Sequence, residues 1–442
     1  MSLFRSFLAG TTALVALSTG ALAADMDALP RIAPALAREP GPPDPPPPPP
    51  VCEKKKGYYQ MPGTETCLKV GGLVRSAIYI HQDNVAGDVW GILPGPITDG
   101  PTHNDPFTMQ TIGRISADAV TKTSYGDLRG RVEFSGSMKD ASPTDGNVKL
   151  RYAFITLGGW TLGRADSFFA AGDGALGGYV GPLGDFGGAT NLIGYTAELS
   201  KEVKASIALE SHDAVDGADG DADKNADVYL SSPAPPLSAF HNDGTQMPDL
   251  TGNIIGEFDW GNIAVAGALS RYRFYDSAAG GTYKGDFMGW AAGLGSTIKL
   301  DGIAKGDAIQ GKVGYADGAT GYLGSSDDAA IIDNIGPDFG VALTSGYSLE
   351  GSFHHEWNDV LNSTLHSGYV GAMRTTNADT VTAIDDAPIA MWSVGANLIW
   401  KPTADINIGA DVYYASITKD NSVTGESTVG ALGSLFHFDR TF

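Results

Sequence analysis

Cysteine is nearly absent from this chain of 442 residues, which has only Cys52 and Cys67. Two cysteines cannot staple a small disulfide scaffold, and with no nearby histidine they do not make a zinc site. Basic residues are also few: 29 lysines and arginines stand against 51 aspartates and glutamates, a formal net charge of −22. A basic nucleic-acid-binding surface is therefore not expected. Long apolar runs are missing as well. After the first residues no stretch holds 18 consecutive apolar residues, so a helical membrane span is not expected. Any membrane crossing would have to be made by a closed β-barrel, the other structure that satisfies every backbone polar group in lipid.

What is present begins with a leader. Arg5 gives a positive start, an apolar stretch centred on "TALVALS" follows, and Ala21-Leu22-Ala23 supplies a small-x-small cleavage signal. Residues 1–23 read as a secretory signal peptide, cleaved after Ala23 or Ala24. Residues 24–50 end in "EPGPPDPPPPPP", which cannot build a core and reads as an extended polyproline spacer. Export places Cys52 and Cys67 where disulfides persist, so a bridge between them is expected, with free thiols as the alternative. It would close the segment 51–67 and stabilise it by about 3 kcal/mol in the chain-entropy picture.

From Leu68 onward the dominant pattern has a period of two. Val70, Val74, Ile78 and Ile80 share one face while Lys69, Arg75 and His81 share the other. Leu128, Val132 and Phe134 likewise alternate with Arg129, Arg131 and Glu133. One such segment would suit a soluble sheet equally well. The count across the chain decides: strands are predicted at 68–80, 109–120, 128–135, 148–157, 159–165, 191–199, 203–210 and 249–258. The second half continues at 262–272, 285–299, 306–315, 341–356, 361–371, 389–401, 404–416 and 433–442. Sixteen is an even number, and the connections alternate between tight ("LGGWT", "DWGN", "EWNDV") and long (81–108, 166–190, 211–248). Trp160, Trp260, Trp357 and Trp400 sit where segments meet the tight turns, as in an interfacial girdle. "SLFHFDRTF" alternates too, and predicts a last strand that closes the sheet on the first. The fold expected for 68–442 is all-β: a sixteen-stranded antiparallel transmembrane β-barrel.

The blocks "PGTETCLKVGGLVR" (62–75), "VCEKKKGYYQ", "YGDLRGRVEF" (125–134), "YAFITLGGWTLGRADSFF" (152–169) and "GYTAEL" (194–199), with Phe442, resemble the general porins of alphaproteobacteria, of the Brucella and rhizobial type. The likeness runs from about residue 51 onward. It implies a homotrimeric outer-membrane porin, surrounded by outer-membrane lipid and lipopolysaccharide, that passes small hydrophilic solutes and ions by diffusion. It also implies that the third surface loop, here 166–190, folds back into the lumen to narrow it. No enzyme activity, cofactor or metal is implied. A solute-specific channel and a structural anchor of the outer membrane are the competing readings.

A pore needs a wet lumen and a charged constriction. The alternation sends Arg75, Arg114, Arg129, Arg131 and Arg151 inward, with Lys69 and Lys149 nearby, and these read as a basic wall. The plainer alternative is that they pair with Asp118 and Glu133 and stiffen the sheet. The opposing acids would be Asp166, Asp173 and Asp185 of the glycine-rich third loop. The arginines argue for contact with anions and the total charge for a cation-attracting mouth, and a weak cation preference is the expected balance.

Two other signals are set aside. "DAVDGADGDADKNAD" (213–227) lacks the glycine and closing glutamate of an EF-hand and reads as a solvated acidic loop. In "HHEW" (354–357) a strand would point His354 and His355 to opposite faces, leaving His354 and Glu356 together, too few for a metal site.

Overall fold

The computed structural model describes residue 52 and residues 56–81, 107–139, 148–170, 188–211, 229–230, 240–242, 247–276, 282–323, 330–332, 341–343, 345–373, 387–420 and 427–442. All belong to one compact unit, Pro50–Phe442. The predicted leader, the proline-rich spacer and the acidic stretch 213–227 lie outside the described residues.

Sixteen strands form the wall. They are β1 (Cys67–His81), β2 (Phe107–Thr123), β3 (Gly126–Lys139), β4 (Val148–Leu157), β5 (Trp160–Asp166), β6 (Ala189–Glu198), β7 (Val203–Glu210) and β8 (Asp249–Phe258). The second half comprises β9 (Gly261–Asp276), β10 (Thr282–Lys299), β11 (Ala308–Asp317), β12 (Ser345–Asn358), β13 (Leu361–Met373), β14 (Ala387–Thr403), β15 (Ile406–Asp420) and β16 (Ser427–Thr441). Each pairs antiparallel with the next, and β16 pairs with β1 over Leu73↔Thr441 to His81↔Gly433. The sheet has no free edge, the condition for a strand-built wall in lipid. Two short pieces, Tyr59–Gln60 on β1 and Phe240–Asn242 on β9, add to its margins.

The period of two becomes an inside and an outside. In β11 the inward residues Ala308, Gln310, Lys312 and Ala316 are buried while Ile309, Val313 and Tyr315 face out. Ile115, Ile193, Val265, Leu349, Leu365 and Val412 carry the same outer band around the wall, each about half exposed. Burying such a band in lipid rather than water is the main driving force for holding the barrel in a membrane. Aromatic pairs border it: Trp160 with Tyr195 (5.1 Å) and Phe258 with Trp260 (5.4 Å) near the short turns, and Trp392 with Tyr414 (5.2 Å) further up the strands.

The turns of two to four residues between wall strands all lie on one rim. Between β4 and β5 the turn is Gly158-Gly159, both with positive φ, as a two-residue hairpin of primed geometry requires. The same rim holds the closing seam. Phe442 exchanges backbone hydrogen bonds with Gly72, and a β-carbon at Gly72 would collide with the Phe442 ring and lie 2.5 Å from the Arg114 carbonyl. The Gly-Gly of "KVGGLVR" therefore makes room for the far end of the chain.

The sixteen predicted strands are all present, with shifted ends. Segment 341–356 divides into Val341–Leu343, which pairs with Ala330–Ile332, and the separate barrel strand β12. The last strand starts at Ser427, before the predicted 433. Strand ends above the lipid carry no selection for an apolar outer face, so alternation does not mark where they stop.

Candidate functional site

The inner face of β1–β4 concentrates positive charge. Glu133 of β3, only 3% exposed, is its centre. Arg131 Nη2 donates to Glu133 Oε2 at 2.6 Å, Arg151 Nη1 to Glu133 Oε1 at 2.9 Å, and Arg114 Nε stands 3.5 Å from Oε1. The three guanidiniums thus come from β2, β3 and β4. Arg131 reaches two residues along its own strand, which a period of two permits.

Arg151 is there because β4 is bulged. The β3–β4 register steps from Glu133↔Tyr152 to Phe134↔Leu150, leaving Arg151 without an opposite residue. A bulge puts two successive side chains on nearly the same face. Both Arg151 and Tyr152 consequently face the lumen, where the Tyr152 ring lies 5.0 Å from the Arg151 guanidinium and 5.7 Å from that of Arg131. Cation–π attraction of this kind contributes about 0.5–1 kcal/mol at a partly exposed site. The Tyr152 hydroxyl donates to Asp166 Oδ1 at 2.7 Å.

The remaining two arginines are bound elsewhere. Arg129 chelates Asp118, with Nε 3.0 and 2.8 Å from the two carboxylate oxygens, and its guanidinium lies 5.7 Å from the Phe154 ring. Asp118 is the register partner of Arg131, so the pair it makes with Arg129 is diagonal. Arg75 forks onto Asp439 across the seam, at 2.8 and 2.9 Å. Its carboxylate partner comes from β16, 364 positions away.

Four of the five arginines pair with Asp118 or Glu133, and Arg75 pairs instead with Asp439. Three cations on one carboxylate nevertheless leave positive charge over. The Arg114, Arg131 and Arg151 side chains remain between 31% and 42% exposed, open to water. Of the predicted loop acids, Asp166 ends β5 beside Tyr152, whereas Asp173 and Asp185 lie outside the described residues. Cys52 and Cys67 are joined, Sγ to Sγ at 2.06 Å, at the foot of β1.

The "HHEW" stretch of β12 divides between its faces. His354 bonds Thr364 Oγ1 (3.0 Å) and Glu356 Oε1 (3.1 Å), while His355 Nδ1 meets Asp307 Oδ2 at 2.7 Å in the β10–β11 turn. Asp307 also accepts the Glu356 amide at 2.9 Å. Its burial works against the charged form, but the amide and the imidazole outweigh it and hold the carboxyl below its ordinary range. Among the described residues no three metal-ligating side chains converge.

A second polar centre was not foreseen from the sequence. Glu210 at the end of β7 and Asp249 at the start of β8 face each other across the sheet, 1% and 0% exposed. Nothing in the chain sets Glu210 apart from other lumen-facing acids. Its partners come from residues 167–168 and 251, and no spacing rule links them.

A sequence profile of the porin subfamily matches residues 51–433. The chain belongs to that family. Among curated porins, Omp2b of Brucella suis is 28% identical over 268 residues, 59% of this chain and 64% of that protein. Omp2a of Brucella ovis is 27% identical over 276 residues, 59% of this chain and 68% of that protein. The chain thus spans a little under two thirds of the Omp2b length. Among solved structures, the outer membrane channel DcaP of Acinetobacter baumannii superposes with a TM-score of 0.64 at 15% identity, covering 85% of this chain and 97% of that one. Salmonella typhi OmpF gives 0.51 at 14% identity, covering 85% and 98%. At such identities these two share its fold, and this porin is an outer-membrane β-barrel.

Proposed function

We propose that the protein is a passive channel of the outer membrane, through which small hydrophilic solutes and ions diffuse, and that it performs no catalysis. The observation that carries the reading is the closed wall with an apolar outside and, on the inside of β1–β4, five arginines set against Asp118, Glu133 and Asp439. Ringed or clustered charge at a narrow point sorts solutes by sign and size. Arg114, Arg131 and Arg151 form the basic side of the constriction, and Asp166, with Asp173 and Asp185 of the same loop, the acidic side. The net charge of −22 attracts cations to the mouths and leaves a weak cation preference despite the basic wall.

The porin acts as a homotrimer in lipid and lipopolysaccharide, exported by residues 1–23, with the proline-rich segment as a periplasmic spacer. Single-channel recording in a planar bilayer tests the channel: stepwise conductance in groups of three is expected, and a sealed bilayer overturns the reading. A reversal potential across a salt gradient tests the sign, and a clear anion preference overturns the cation lean. A heat-labile oligomer band on a denaturing gel is expected of the trimer.

The three-arginine centre favours one alternative, a solute-specific channel with a track for small anions. Flux of a small carboxylate that saturates with concentration would select it over simple diffusion.

A further inference from the structure

The chain leaves β5 at Asp166 and turns onto the inner wall rather than away from it. Ser167 N donates to Gly188 O at 3.2 Å, so the two ends of the long β5–β6 connection are tied at their neck. Three side chains and one backbone group then fix the next residues. Ser167 Oγ donates to Glu210 Oε2 at 2.7 Å and the Phe168 amide to Glu210 Oε1 at 2.6 Å. Thr251 Oγ1 also donates to Glu210 Oε1, at 2.6 Å, and Asn253 Nδ2 donates to the Phe168 carbonyl at 2.7 Å. The Phe168 ring fills the space left by Gly194, where a β-carbon would come within 2.6 Å of it.

Phe169 completes the arrangement. It is fully buried, in one apolar cluster with Ala264, Ala266 and Ala268 of β9, Ala291 of β10 and Ala316 of β11. Its ring centroid lies 4.8 Å from that of Tyr322, whose hydroxyl donates to Asp249 Oδ2 at 2.8 Å from the 3₁₀ turn Thr320–Leu323. Large side chains would be compatible with the width of a sixteen-stranded lumen, yet this stretch of wall carries alanine. Small residues at these positions form a socket of the size a phenyl ring needs.

We infer that Glu210 is the positioning residue of the constriction loop and that the alanine socket on β9–β11 is the seat of Phe169. Together they clamp the neck of the β5–β6 connection to the wall opposite the arginines and thereby set the bore. Glu210 touches no solute. It acts by accepting Ser167 Oγ–H and the Phe168 N–H at once, which a carboxylate does with two oxygens and an amide does with one. This rests on the channel reading above, so its test has one arm that needs no conductance.

The porin, refolded as the full chain, is compared with Glu210→Ala, Glu210→Gln and Phe169→Ala. Phe169 lies outside the strands, so its loss leaves the barrel's ladder intact even where a Glu210 variant refolds poorly. Limited proteolysis in detergent should cut the β5–β6 connection several times faster in Glu210→Ala and Phe169→Ala, with Glu210→Gln between them and the native chain. Single-channel conductance in potassium chloride should rise in the same order, by up to about twofold, as the constriction loosens. Unchanged cleavage rates in folded Glu210→Ala and Phe169→Ala overturn the inference. Faster cleavage with unchanged conductance overturns the part that assigns the bore to this clamp. Faster cleavage in the variants, with a native chain that never conducts, would uphold the clamp and sink the channel reading alone.

Discussion

The inner wall of β1–β4 and the inner wall of β7–β11 are built from the same alternating pattern and end with opposite contents. The first presents long cationic side chains that reach into the lumen and are braced by Glu133, Asp118 and Tyr152. The second presents alanines and two buried carboxylates, and receives the chain's own Phe169. The comparison teaches that a lumen-facing position has no fixed chemistry. It is polar where it meets water, and where it meets another part of the protein it is small and apolar or, as at Glu210, a buried hydrogen-bond acceptor.

The largest effect expected from breaking this contrast is at Glu133. Glu133→Ala leaves three arginines facing one another without their carboxylate. Loss of a fully buried partner costs about 3–5 kcal/mol, and because these guanidiniums reach water the expected cost is lower, about 1–3 kcal/mol. Urea unfolding followed by heat-modifiable gel migration reads it, and the reversal potential should move toward anions. An unchanged reversal potential would separate the cluster from the permeation path.

Next comes the opposite wall. Ala266→Leu adds bulk inside the socket, where overpacking costs about 1–3 kcal/mol. The same leucine at Ser116, partly exposed on the inner face of β2, should cost less than about 1 kcal/mol, because it can extend toward the lumen and gives up one long hydrogen bond to the Gly71 carbonyl. Equal melting temperatures for the two variants would mean that the socket is not packed.

Arg151→Ala should barely alter stability, by about 0–1 kcal/mol, since its guanidinium is over a third exposed and Arg131 still holds Glu133. Its effect belongs to selectivity, and a shift of the reversal potential toward cations is expected.

The smallest effect is a control outside both walls. Asp307, held below the ordinary carboxyl range, contributes to the β10–β11 turn above its unfolded pKa of about 3.9. That contribution is lost as pH falls through the lower folded value. Tryptophan fluorescence from Trp357, whose ring lies 4.4 Å from that of His355, should change below about pH 4 in the native chain and not in Asp307→Asn.

The legibility of this porin follows from what each feature depends on. The strands could be read because lipid imposes one rule on every outward position, visible in Val70, Val74, Ile78 and Ile80 as in Leu432, Phe436 and Phe438. The inward arginines followed from the same parity. Arg151 was assigned inward by simple alternation and faces inward by a bulge, which also turns Tyr152 to the lumen, and periodicity does not reveal an extra residue in a ladder. Asp439 could not be matched to Arg75 in advance, since the two meet only when the barrel closes. The roles of Glu210 and Phe169 were illegible for the same reason.

The sequence by itself determined the number of strands, the rim that holds the tightest turns and, away from the β4 bulge, which residues face in, because each depends on neighbours two to ten positions away. The tertiary structure alone decided which inward residues touch. Closing sixteen strands brings β16 against β1 and folds the neck after β5 onto β7–β11, and those contacts are fixed by the register of the whole sheet rather than by any local stretch of chain.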